Sequence, residues 1–160
     1  MQAVAVVRKL NTGDKVLVDN EYGNFRDSGS ELFTQFIGMR LDDTGVIFNA
    51  NLNAYFTGKA TVTYSSSDVN LGNGMKAKEG IFTAPVAGTY YFHFQTVSFH
   101  KHDIHSFINI RINEKTVSST FKRLVSHLPS RHYSSNLYTY HYLRRILEHV
   151  EFKQSQLSIR

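Results

Sequence analysis

Cysteine is absent from the 160 residues. That excludes a disulfide framework, thiolate catalysis and a cysteine-ligated zinc site. Tryptophan is absent too, and proline occurs only twice. No apolar run approaches the roughly 18 residues that a membrane-spanning helix needs. No Asn-x-Ser/Thr acceptor for glycosylation occurs. The opening run Met1-Gln2-Ala3-Val4-Ala5-Val6-Val7-Arg8-Lys9 is short, and its charges follow it, the reverse of signal-peptide order. No Gly-x-Ser-x-Gly elbow supports a nucleophilic hydrolase. Gly72-Asn73-Gly74 lacks the Lys-Ser/Thr ending of a phosphate-cradling loop and reads as a plain turn. A collagen-type Gly-x-y run is also missing.

What is present fits a single folded domain. Hydrophobic residues make up 41% and charged residues 19%, an ordinary globular balance. The 12 Phe and 9 Tyr favour strands. The net charge of +5 is not spread evenly: residues 1–116 hold 11 Lys/Arg against 11 Asp/Glu, and residues 117–160 hold 7 against 2. The basic character therefore belongs to the C-terminal part and gives no reason to expect nucleic-acid binding by the body.

Strand signals dominate. Ala3 to Leu10 and Lys15 to Asp19 flank the turn cluster Asn11-Thr12-Gly13-Asp14, which predicts a hairpin. Asn20 to Ser30 reads as loop. Leu32 to Leu41 reads as an apolar strand, with Gly38 marking a bulge or a close backbone approach. Asp42-Asp43-Thr44-Gly45 is a break. Val46 to Tyr55 and Ala60 to Tyr64 look like strands, and 65–80 like a long irregular loop. His100 to His105 reads as a connection. Phe107 to Ile112 alternates, and Asn113-Glu114-Lys115 turns the chain. All ten glycines lie at or before Gly88. Beyond residue 117 the expectation is an irregular tail, with Tyr138 to Phe152 as a candidate helix bearing Tyr142, Ile146, Leu147 and Val150 on one face.

The densest pattern is Phe82-x-x-Pro85-x-x-Gly88-x-Tyr90-x-Phe92, continued by Phe94. Pro85 has no backbone N–H and cannot sit in a central strand. Gly88 is read as freeing the backbone to turn. Tyr90, Phe92 and Phe94 share one face, because strand side chains alternate. In order and spacing this segment resembles the signature of the complement C1q-like globular-domain family, a jelly roll of the tumour-necrosis-factor-like superfamily. The likeness extends over residues 46–116. The family commonly has Asn-Gly where this chain has Asn113-Glu114. A second likeness lies in the opening residues: the Leu10 to Val16 turn with Gly13 and Asp14, and Phe33 to Met39 with Phe36 and Gly38, are similar to the late strands of the same domain. Late strands thus precede early ones.

The resemblance implies an all-β, antiparallel jelly-roll sandwich, permuted or fragmentary, with an irregular or helical C-terminal tail. It divides the chain into 1–41 (late strands of one such domain), 42–45 (linker), 46–116 (early and central strands of another) and 117–160 (tail). Two outcomes stay open. The early hairpin completes the later sandwich, or both halves depend on neighbours in a longer tandem protein of which this chain is a fragment. The implied function is a non-catalytic, extracellular recognition and oligomerisation module, active in innate immunity, that binds proteins, glycans or microbial surfaces as a homotrimer or heterotrimer. No enzyme, nucleic-acid partner or membrane span is expected. The outward set Tyr91, Val97 and Phe99 is the candidate subunit interface, since an exposed apolar patch marks a contact.

Two chemical alternatives remain. His100 and His102 share a strand face and, with His105, would suit a metal in a cupin-like jelly roll, but no glutamate follows until Glu114. The plainer reading is a solvated connection. Asp14, Asp19, Glu21, Asp27, Asp42 and Asp43 offer oxygen ligands, and calcium is the one cofactor the resemblance leaves open. Their spacing is not that of a calcium loop, and solvated turn acids are the plainer account.

Overall fold

The computed structural model describes residues 1–27, 32–42, 45–97 and 105–123. From Gln2 onward these belong to one compact unit, Gln2–His127. The long strands are β1 (Gln2–Leu10), β2 (Lys15–Tyr22), β4 (Thr34–Arg40), β5 (Ile47–Leu52), β8 (Ser66–Leu71), β11 (Gly88–Thr96), β12 (His105–Ile112) and β13 (Lys115–Arg123). Short ones fill the gaps: β3 (Asn24–Arg26), β6 (Tyr55–Thr57), β7 (Ala60–Thr61), β9 (Met75–Lys76) and β10 (Ile81–Thr83). A single 3₁₀ turn, Ala77–Glu79, is the helical element among the described residues.

Two antiparallel sheets result. The first runs β1-β11-β4-β5-β8; the second runs β13-β12-β2-β10-β9, with β7 also on β2. A small ribbon pairs β3 with β6. The early strands join these sheets, but not as the expected hairpin. β1 lies in the first sheet and β2 in the second, so the turn at 11–14 crosses from one layer to the other instead of joining paired neighbours. β1 pairs along its whole length with β11, from Gln2 opposite Thr96 to Leu10 opposite Gly88. β2 lies between β12 and β10, and β4 lies between β11 and β5. Alternation explains the core. Val4, Val6, Phe36, Phe48, Tyr90, Phe92 and Phe94 face inward from the first sheet and meet Val16, Val18, Phe82, Ile108 and Ile110 of the second. The exposed side of β1 is closed by donors reaching across to or from β13: Gln2 Nε2 to Thr120 O (3.1 Å), Arg8 Nη2 to Val117 O (3.3 Å) and Ser118 Oγ to Ala5 O (3.3 Å). Such closure covers part of an edge that would otherwise invite foreign pairing.

Several local expectations need correction. β2 continues to Tyr22 and β3 follows at once, where a loop was expected from Asn20; Asn20 is fully buried and ties Gly23 O and Gly58 O with its amide (2.8 and 2.7 Å). Residues 65–80 hold β8, β9 and the 3₁₀ turn instead of a long loop. Pairing with β5 and the Asn70 side chain, which clasps the Met75 backbone at both N and O (3.0 and 2.9 Å), override a weak local propensity. Of Ala60 to Tyr64 only Ala60–Thr61 is strand. The change in composition at 117 does not end the sheet: β13 runs on to Arg123 because its residues pair with β12. His105 belongs to β12 and not to a connection. The candidate helix at 138–152 lies outside the described residues.

Candidate functional site

Three turns meet at one end of the sandwich. Gly13, at φ +88°, lets its N–H reach Ala84 O (2.8 Å), and Ala84 N–H returns to Asp14 O (2.9 Å). Asn113 binds the same turn from the other side: its N–H donates to Lys15 O, its Oδ1 accepts from Lys15 N–H (2.9 Å) and its Nδ2 donates to Asp14 Oδ1 (2.7 Å). That bond, with Asn11 N–H on Oδ2 (2.7 Å), holds the Asp14 carboxyl below its usual range. Tyr90 Oη donates to Val86 O (2.7 Å), which pins the loop after Pro85. Thus Gly13, Asp14, Pro85 and Tyr90 share one corner, while Phe36, Phe82, Phe92 and Phe94 lie in the core beneath, each at most 1% exposed. Gly88 acts differently from expectation. It is not in the positive-φ region; it supplies space, since a Cβ there would stand 2.5 Å from Arg40 Nε and 3.0 Å from Asp42 Oδ2. Asp42 in turn accepts from Thr89 N–H (2.8 Å), so the break after β4 is fastened to β11.

The turn at Asn113-Glu114 has φ +47° and +70°, the left-handed pair of a type I′ hairpin. Glu114 tolerates this poorly. Glu114→Gly is expected to raise stability by about 1 kcal/mol, read as an increased urea midpoint at unchanged slope. The Arg111 guanidinium that binds Glu114 O keeps its backbone acceptor.

The outward faces differ in character. On the first sheet, Tyr91, His93 and Gln95 of β11 stand beside Val7, Ala5 and Ala3 of β1, and beside Met39, Ile37 and Gln35 of β4. Ile47 and Asn49 of β5 and Leu71 and Val69 of β8 extend the rows. None of these positions carries a charged side chain. Val7, Val69 and Leu71 are 48%, 42% and 46% exposed. His93 is only 8% exposed, its ring stacked on Tyr91 (6.5 Å, 10°). Of the expected interface trio, Tyr91 lies on this face, Val97 follows the end of β11, and Phe99 lies outside the described residues.

The outer face of the second sheet is charged. Asp19 accepts from Arg111 Nη1 and from Thr61 Oγ1, both at 2.6 Å, and Lys59 Nζ meets Glu21 Oε2 at 2.6 Å. The Glu21 carboxylate raises the Lys59 pKa. With Asn20 and Ala60 these residues line a groove of about 250 Å³. Beside it stands a row of rings, Phe107 against Phe121 (6.4 Å) and Phe121 against His105 (5.6 Å).

The acids singled out for calcium are dispersed. Asp14, Asp19, Glu21, Asp27 and Asp42 each bind a donor of their own chain, and Asp43 lies outside the described residues. His105 is exposed, and His100 and His102 are not described. Among the described residues no three His, Asp or Glu converge on a metal position, so nothing here carries a cupin-like reading.

The C1q domain family model matches residues 47–137, more than half of the chain. The chain belongs to the C1q domain family. No curated protein and no solved structure gives a match. The family match begins at the first residue of β5, so the two main sheets of this C1q-family chain draw three strands, β1, β2 and β4, from ahead of the matched region. C1q domains are in general non-enzymatic and typically extracellular, and they generally form trimers that bind proteins or glycans. No helix among the described residues is long and apolar enough to cross a membrane.

Proposed function

We propose that this chain is a non-catalytic, secreted recognition module that assembles into a homotrimer, or takes one place in a heterotrimer, through the outer face of its first sheet. In that arrangement the charged groove and aromatic row of the second sheet face outward, toward protein, glycan or microbial-surface ligands in innate immunity. The observation that carries the reading is the largely apolar outward face of a five-stranded sheet, whose central rows hold no charged side chain and whose margins carry Lys9 and Asp68. Interface cores are depleted of charge and enriched in aromatic side chains and Met, and a soluble monomer seldom leaves such a face open. His93 Nδ1, Gln95 Oε1 and Asn49 Oδ1 on the same face have no hydrogen-bond partner among the described residues, and a neighbouring copy can supply one. Three linked copies would raise the affinity of a weak ligand site through avidity.

We also read residues 1–41 as the late strands of a C1q-like domain and 46–116 as its early and central ones, joined at 42–45. The support is their placement: β1, β2 and β4 take positions between or beside β10, β11, β12 and β5.

Light scattering on the purified chain tests the assembly. The expected mass is three times the 18.3 kDa of one chain, and Val7→Glu, at a half-exposed outward position, should reduce it to that of one chain without altering the far-UV spectrum. A monomer at high concentration ends the proposal.

A further inference from the structure

The uncharged face has one ionisable group near its centre that can gain a charge at mildly acidic pH, and it is His93. Its neighbours across the strands are Ala5 on β1 and Ile37 on β4. Asn49, one strand further, is also neutral. The ionisable groups nearest on this side are Tyr91 on its own strand, Lys9 beyond Val7 on β1, and Asp68 at the irregularity where β8 meets β5. β4 and β5 present none at their outward positions. Among the described residues no carboxylate therefore stands beside the ring to stabilise an imidazolium. Nδ1 is buried and has no hydrogen-bond partner among the described residues.

We propose that His93 makes self-association of this chain pH-dependent: neutral imidazole allows copies to pack face to face, and protonation releases them. This rests on the reading of the first sheet's outer face as the assembly surface. The physics is a matter of desolvation. A second copy laid over the face would remove the remaining water from a ring already 8% exposed, and an unpaired cation in a dry apolar contact is strongly disfavoured. Burial within the chain already lowers the His93 pKa from its ordinary value; occlusion by another copy lowers it further. The sign follows from linkage. The separated protomer binds the proton more readily than the assembly, so association is complete at the ordinary histidine value of about 6.5 and above, and weakens only as pH falls below the lowered pKa of the separated protomer. Each protomer contributes up to about tenfold in the association constant per pH unit below the pKa of the separated form.

The test is light scattering or sedimentation of the full chain at pH 8 and pH 5.5, for the natural sequence, His93→Gln, His93→Asn and His93→Lys. The natural chain should be assembled at pH 8 and dissociate at pH 5.5. Gln and Asn, neutral at both values, should stay assembled at both; two variants guard against one that fails to fold. Lys, charged throughout, should be monomeric at pH 8 with an unchanged far-UV spectrum. If the natural chain stays equally assembled at pH 5.5 and again at pH 4.5, the switch is overturned and the assembly stands. If both neutral variants dissociate at pH 5.5, another of the eight histidines is responsible and the assignment to His93 is overturned. A natural chain that is monomeric at both pH values overturns the assembly itself.

Discussion

Phe92→Ala is expected to remove about 3–5 kcal/mol of stability and to lower the melting temperature by about 10–20 °C. Phe92 is fully buried at the centre of β11, with β1 on one side and β4 on the other. Its ring contacts Phe36 (6.0 Å, stacked), Phe48 (6.3 Å), Phe82 (5.5 Å, edge-on) and Tyr90 (6.0 Å, stacked). Phe82 comes from the second sheet, so this one side chain joins the two layers. Truncation removes the transfer energy of the ring and leaves a cavity whose walls are other rings, held by their own neighbours and unable to collapse. Phe121→Ala is the matched control. That ring is 58% exposed, and its loss should change stability by no more than about 0.5 kcal/mol. Urea unfolding of the two variants measures the contrast. Equal effects would mean that the alternation along β11, and with it the inward aromatic face, is wrong.

That contrast also marks what the sequence made legible. Alternation of Tyr90, Phe92 and Phe94 is a local signal, and strand geometry translates it directly into one buried face. Gly13 and Asn113 likewise mark turns by residue type, but Glu114 at the second left-handed position carries no such signal, and the strands on either side of Gly13 pair in different sheets and not with each other. Other features are set by partners far along the chain. The Asp19–Arg111 pair joins residues 92 apart, and neither residue has a local pattern that names the other. β8 has serines and an aspartate where a strand would have β-branched residues; its pairing with β5 makes it a strand. β13 hides in a segment whose change in composition suggested a tail, although Val117 and Thr120 fit a sheet when β12 is present to receive them.

The uncharged face shows the limit most clearly. Tyr91 was readable as outward because Tyr90 and Phe92 point inward. Val7, Ile37, Ile47 and Val69 could not be grouped with it, because they come from strands whose order, β1-β11-β4-β5-β8, is not that of the chain. His93 lay within the signature segment, yet its significance depends on having Ala5 and Ile37 beside it. Sites made on the surface of a sheet become visible only after the topology is known, since their members are scattered in sequence.

Gly38 supplies the second large effect. The sequence left two readings for it, a bulge or a close approach, and the pairing on both sides of β4 runs without a register shift there. The approach is the reason for glycine. A Cβ at residue 38 would overlap the Phe48 ring and stand 2.9 Å from Phe92 Cδ1. The Phe48 ring has no room to retreat: it stacks on Phe82 at 4.9 Å and meets Phe36 edge-on at 5.0 Å. Elsewhere in a strand, Gly→Ala gains about 0.5–1 kcal/mol by restricting the unfolded chain. Here the sign reverses. Gly38→Ala is expected to cost about 1–3 kcal/mol, the range for overpacking a dense core, and Gly38→Val more. Gly13→Ala separates this from backbone strain, because Gly13 has φ +88° and nothing within 4 Å of a Cβ; it should cost about 1 kcal/mol and respond to no change in the core. Phe48→Leu, by contrast, shortens the ring that obstructs residue 38. Combined with Gly38→Ala it should destabilise by at least about 0.5 kcal/mol less than the sum of the two single changes. Strict additivity in that cycle would show that the ring and the glycine do not compete for the same space.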